Sequence, residues 1–99
     1  MEKISYICQL ETEDEMGDTM YLCYFVTCVD LGGEKNYGVG IDMYTQKYSE
    51  RTDKERKIVN NIFRTKIEAE LFARMLCSGI VTPITLADVV EDHMKAGLA

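Results

Sequence analysis

Hydrophobic and polar residues alternate with a period of two along residues 3–63, and the period then changes to a helical one. In residues 3–10, Ile4, Tyr6, Cys8 and Leu10 alternate with Ser5, Ile7 and Gln9, which predicts a strand with one better-buried face. Residues 11–18, ETEDEMGD, hold five acids in eight positions and predict an exposed loop. Residues 20–30, MYLCYFVTCVD, are apolar on both sides: Met20, Leu22, Tyr24, Val26 and Cys28 form one row, and Tyr21, Cys23, Phe25, Thr27 and Val29 the other. A strand of this kind is central in its sheet or covered on both faces. Gly32-Gly33 predicts a tight hairpin. Alternation resumes over 36–48, with Tyr37, Val39, Ile41, Met43 and Thr45 on one face and Gly38, Gly40, Asp42 and Tyr44 on the other. SERTDKE reads as a polar connection before a fourth strand over 56–63. There Ile58 and Ile62 share one face, and Val59 and Phe63 the other.

The helical signals follow. Thr65 and Glu68 fit a capping box. Ile67, Leu71, Met75 and Leu76 then recur at helical spacing, widened by Phe72, and predict a helix over 66–78. Gly79 is placed to cap it in the left-handed conformation. A second helix is predicted over 84–96, with Leu86, Val89, Val90, His93 and Met94 as its apolar stripe. Its start is set either by Thr85 with Asp88 or by Thr82 followed by Pro83. Four strands followed by two helices predict an α+β fold: one domain, 1–99, with a mainly antiparallel meander sheet and both helices packed on one face. Such a pair of helices covers one face only. The two-sided strand 20–30 therefore raises the expectation of a homodimer through the other.

Composition narrows the function classes. Formal charge is −6, which argues against a binder that relies on bulk attraction to phosphate. The charge is uneven: residues 1–50 carry ten acids and three bases, residues 51–99 seven acids and eight bases. Arg51, Lys54, Arg56, Lys57, Arg64 and Lys66 form the one basic concentration. They are the residues a nucleic-acid contact would use. No apolar run approaches the roughly 20 residues of a membrane span, and the N-terminal residues show no signal-peptide pattern. The expected location is the cytoplasm, where Cys8, Cys23, Cys28 and Cys77 are read as reduced thiols acting as small hydrophobes.

Candidate chemistry is sparse. His93 is the only histidine, so no histidine pair for a metal exists. There is no C-x-x-C, nucleophile elbow, H-E-x-x-H, phosphate loop or dinucleotide fingerprint. The acidic run lacks the alternating ligand spacing and central glycine of a calcium loop. No catalytic residue, metal ligand or cofactor is assigned. Gly38 and Gly40 leave one patch of a strand without side chains, where a helix of this chain or a partner can come close. With Tyr37, Tyr44 and Tyr48 they form the candidate interaction surface, since tyrosine combines apolar area with a polar tip.

The segment from Tyr37-Gly38-Val39 through Val81-Thr82-Pro83, Leu86 and Asp88-Val89-Val90-Glu91-Asp92 resembles a family of small uncharacterised proteins from clostridia and related bacteria. The resemblance implies a bacterial, cytoplasmic small domain and no catalytic residue. The expected function is a non-enzymatic protein-interaction or regulatory module that binds another protein or itself. The alternative is a small-molecule-binding or enzymatic domain with a pocket between sheet and helices near His93.

Overall fold

The computed structural model describes the backbone of residues 2–47 and 50–98, and the side chains of 3–45 and 55–95. The described residues form strands β1 (Glu2–Glu13), β2 (Thr19–Leu31), β3 (Glu34–Lys47) and β4 (Glu50–Phe63), then helices α1 (Lys66–Ser78) and α2 (Pro83–Leu98). The sheet is an antiparallel meander in the order β1-β2-β3-β4. The fold is α+β, as the pattern predicts. Gly32 and Gly33 make the two-residue β2–β3 turn with φ of 62° and 94°, a conformation that side chains resist.

The outer strands run longer than their hydrophobic patterns. β1 takes in Glu11, Thr12 and Glu13 from the predicted acidic loop, paired with Tyr21, Met20 and Thr19. β4 begins inside the predicted polar connection, where Lys47 pairs with Glu50. A ladder needs backbone partners and not apolar side chains, so an edge strand can extend through charged residues.

One face of the sheet carries Leu22, Tyr24, Val26, Val39, Ile41 and Phe63. Ala69, Phe72, Ala73 and Leu76 of α1 and Leu86 and Val90 of α2 lie over it. These side chains form the core. Tyr24 is fully buried, and its hydroxyl donates to the Val81 carbonyl at 2.8 Å, fastening the α1–α2 connection to the sheet. Burial pushes the Tyr24 hydroxyl up to about 12.

α1 presents a different face to the sheet than its large apolar residues predict. Ala69, Phe72, Ala73 and Leu76 are buried, whereas Ile67, Leu71 and Met75 are 70%, 64% and 45% exposed. The two alanines account for the choice: their small side chains let the helix backbone approach the sheet, and Phe72 and Leu76 fill the space on either side. Dense packing of this kind outweighs the greater apolar area of the other row. Thr65 caps the helix by accepting from the Glu68 amide at 3.3 Å, while its hydroxyl donates to the Glu68 carboxylate at 2.8 Å.

Two further expectations are corrected. Gly79 has φ −87°, and the left-handed residue is the next one, Ile80, at φ 52°. The Val81 amide donates to the Leu76 carbonyl at 3.0 Å and the Ile80 amide to the Cys77 carbonyl at 3.1 Å, so the left-handed position of the cap falls one residue after the glycine, while the helix itself ends at Ser78 as predicted. Cys8 and Cys77 are joined by a disulfide, with Cα atoms 6.5 Å apart, whereas the sequence reading has all four thiols reduced. The bond ties β1 to the last turn of α1. Cys23 and Cys28 are free. α2 begins at Pro83 behind Thr82, the second of its two expected starts. No described helix is long and apolar enough to cross a membrane.

Candidate interaction surface

The helix-free face of the sheet holds most of the residues that the sequence singles out. Directly opposed residues of neighbouring strands point to the same side, so the register assigns each one. Tyr6 opposes Phe25, Phe25 opposes Gly40, and Gly40 opposes Ile58; Asp42 opposes Arg56. All of these lie on the helix-free face.

Tyr6 arrives there through a bulge. The β1–β2 register passes from Tyr6↔Phe25 to Cys8↔Tyr24, so Ile7 is an extra residue. The bulge splits the expected row of Ile4, Tyr6, Cys8 and Leu10. Ile4, opposite Thr27, and Tyr6 go to the helix-free face; Cys8 and Leu10 go to the helix face, where Cys8 meets Cys77.

Gly38, Gly40 and Tyr44 share the helix-free face as predicted. Tyr37 is on the other side, partly buried against the core. Tyr48 lies outside the described residues. The glycine patch is not open. A Cβ on Gly40 would collide with the ring of Phe25, which lies over the glycine from the neighbouring strand. A Cβ on Gly38 would meet the Val59 carbonyl, and the Asn60 Cα at 2.7 Å. There the register passes from Val39↔Val59 to Tyr37↔Phe63, and the surplus backbone of β4, with Asn61 at φ 60°, crowds the glycine. The close approach that the glycines foretold is made by the chain's own strands.

Around Phe25 is a polar group that sequence reasoning missed. Arg56 donates to Asp42 twice, Nε to Oδ1 at 2.6 Å and Nη2 to Oδ2 at 2.9 Å. The Tyr6 hydroxyl donates to Asp42 Oδ2 at 2.9 Å and accepts from Arg56 Nη2 at 3.2 Å. The guanidinium carbon is 5.2 Å from the Phe25 ring centroid, and the Tyr6 ring meets Phe25 edge-on at 5.4 Å. The Asp42 hydrogen bond raises Arg56 above its ordinary value. Partial burial, then the hydrogen bond to Asp42, raise Tyr6. Asp42 is 3% exposed, and its ion pair is bidentate, the strong form of such a pair. The signal for this group is the charge pattern of the β3–β4 hairpin. With β4 extended back to Glu50, an acid and a base fall opposite each other on one face.

Other groups on this face pair with one another, although Tyr6 itself is 58% exposed. Tyr21 and Tyr44 stack with centroids 5.0 Å apart at 20°, and Thr27 donates to Asn60 Oδ1 at 2.9 Å. Among the described residues, no buried side-chain polar atom lacks a hydrogen-bond partner. Of the predicted basic concentration, Arg56 is committed to Asp42, Lys57 opposes Ile41 on the other face, and the side chains of Arg51 and Lys54 lie outside the described residues.

The outer surface of the helices is different. Ile67, Leu71 and Met75 form an exposed apolar row at i, i+4 and i+8. Beside it is a cavity of about 260 Å³ lined by Phe63, Glu68, Leu71, Phe72, Met75 and His93. The exposed His93 ring stacks at a tilt on Phe72, with centroids 4.7 Å apart. Among the described residues, no cluster of three or more histidine, cysteine or acidic side chains is arranged to hold a metal.

The family model for DUF6514, a family of unknown function, matches residues 3–96, and the chain belongs to that family. No curated protein and no solved structure matches the chain.

Proposed function

We propose that this member of a family of unknown function is a non-enzymatic protein-interaction module, and that it binds through the outer face of α1. The observation that carries the reading is the apolar row of Ile67, Leu71 and Met75, exposed beside a partly apolar cavity. Contiguous exposed apolar surface of this kind marks interaction sites on soluble domains. The tyrosine–glycine face named from the sequence gives way to it, because its central groups are already packed and hydrogen-bonded within the chain. The reading places the protein in the cytoplasm of a bacterium, in keeping with the resemblance carried by residues 81–92. In that reducing compartment the Cys8–Cys77 bond is expected to open.

The test is affinity capture from a lysate of the source cell with the wild-type chain and with Leu71→Asp. Leu71 is exposed, so the variant is expected to fold, and circular dichroism checks that it does. A stoichiometric partner held by the wild type and lost by the variant supports the reading. Equal capture by both sinks it.

A second reading rests on the same cavity, which would hold a small apolar ligand against His93. It predicts a ligand-dependent rise in Tm in a metabolite screen, removed by His93→Ala. A screen without any shift removes this alternative.

A further inference from the structure

The geometry points to a second copy of this chain as the occupant of the α1 face, docked as an antiparallel helix pair about a two-fold axis through Leu71. The inference rests on the interaction surface proposed above and adds the identity and orientation of the partner.

The charges along α1 carry it. The whole chain has a formal charge of −6, so two copies repel each other over most approaches. α1 is locally balanced, with Lys66 and Arg74 against Glu68 and Glu70. Its outward face therefore offers a neutral approach on an acidic protein. That face is also where the exposed apolar row lies.

Helical spacing then fixes the orientation. At about 100° per residue, Arg74 and Glu70 flank the apolar row on one side and Glu68 on the other. A two-fold axis perpendicular to the helix and running through Leu71 sets Leu71 against its own copy and Ile67 level with the second copy's Met75. It also returns each flank to itself in reverse. Arg74 then falls within about 3 Å, measured along the helix axis, of the second copy's Glu70, and the reciprocal pair forms at the other end; the two Glu70 carboxylates approach each other between these pairs at the same axial spacing, so two attractions stand against one like-charge approach. Lys66 lies about 40° further round, outside the contact, with its Nζ 3.8 Å from the Glu70 carboxylate of its own helix. A parallel pair brings opposite flanks together and sets each Glu70 beside the other copy's Glu68, with Arg74 out of reach of both, so its charged contacts only repel. The antiparallel arrangement therefore combines apolar burial with the better charge pairing of the two orientations. It is a closed, self-complementary contact of the commonest kind among homo-oligomers.

Sedimentation equilibrium over a range of concentrations tests this directly, on the wild type and on Glu70→Arg, Arg74→Glu and the double reversal. The expected wild-type mass at high concentration is twice the chain mass of 11.3 kDa. Each single charge change is expected to weaken dimerisation about tenfold or more, in the range measured for close interfacial charge pairs. The double reversal restores it. All three positions changed, Glu70, Leu71 and Arg74, are exposed or half-buried, and circular dichroism melts check that each variant is folded. A wild type that stays at the monomer mass overturns the self-pairing. If Leu71→Asp still loses a foreign partner in lysate, the interaction surface itself survives that result. A dimer indifferent to both single charge changes overturns the antiparallel contact, and one indifferent to Leu71→Asp as well overturns the surface on which it rests.

Discussion

The large side chains buried on the two faces of this sheet are covered by different means. The helix side is covered by a second layer: aliphatic and aromatic residues of β2 and β3 meet Ala69, Phe72, Ala73, Leu76, Leu86 and Val90. The other side has no second layer, and the body is 17 Å thick along its shortest axis, room for one sheet and one layer of helices. Yet Phe25 and Thr27 on that side are 0% exposed. Phe25 lies over Gly40 and under Arg56, with Tyr6 at its edge. A glycine on the neighbouring strand leaves room for the ring, and a bidentate ion pair roofs it. The difference shows that a strand apolar on both faces does not require a partner on each. A cross-strand neighbour without a side chain is enough to bury a large one.

On the covered face, the Cys8–Cys77 bond closes a separation of 69 residues, and a crosslink of that span is worth about 4 kcal/mol. Cys77→Ala, or a reductant added to the wild type, is expected to lower the urea midpoint by a matching amount. Identical midpoints with and without dithiothreitol would mean that packing alone holds the helix layer.

The next effect is pH-dependent and also belongs to the covered face. Tyr24 is charged only after losing its proton, and in the fold it does so near 12 instead of near 10. Its contribution is fully present below pH 10 and is lost as pH rises from 10 to 12, a total on the order of 2–3 kcal/mol. Alkaline melts should therefore steepen in that window, and Tyr24→Phe should flatten them. A phenylalanine variant with the wild-type alkaline slope would contradict this.

The smallest expected effect is on the helix-free face. Gly40→Ala forces the Phe25 ring out of its place and should cost about 1–3 kcal/mol, the usual range for overpacking. Adding Phe25→Leu to Gly40→Ala should cost less than the two changes sum to separately, because both act on one space. Strict additivity would show that the ring and the glycine do not share it.

The period of two and the change to a helical period made the architecture legible, and the capping box placed the start of α1 at its first residue. What failed has identifiable causes. The bulge at Ile7 is an insertion in backbone pairing and leaves no mark on an alternating sequence, so Tyr6 and Cys8 looked like neighbours on one face. The helix α1 carries two overlapping apolar rows. Residue hydrophobicity favours Ile67, Leu71 and Met75, while packing against a sheet favours the row with Ala69 and Ala73. The pairing of Cys8 with Cys77 depends on which element covers which strand, and spacing along the chain does not encode that. Of the candidate surface, Gly38, Gly40 and Tyr44 were correctly placed together. Their partners Phe25, Arg56 and Asp42 become visible only once the β3–β4 register is known.

The bulges have a consequence for the open edges of the sheet. Both outer strands, β1 at Ile7 and β4 at Asn60–Asn61, depart from regular pairing, while β2 and β3 keep an unbroken register between them. An outer strand with a regular edge invites another sheet to add on and grow into fibres, and an interrupted one blocks that growth. The irregularities therefore fall where strand-by-strand growth of the sheet would begin, and they work against it.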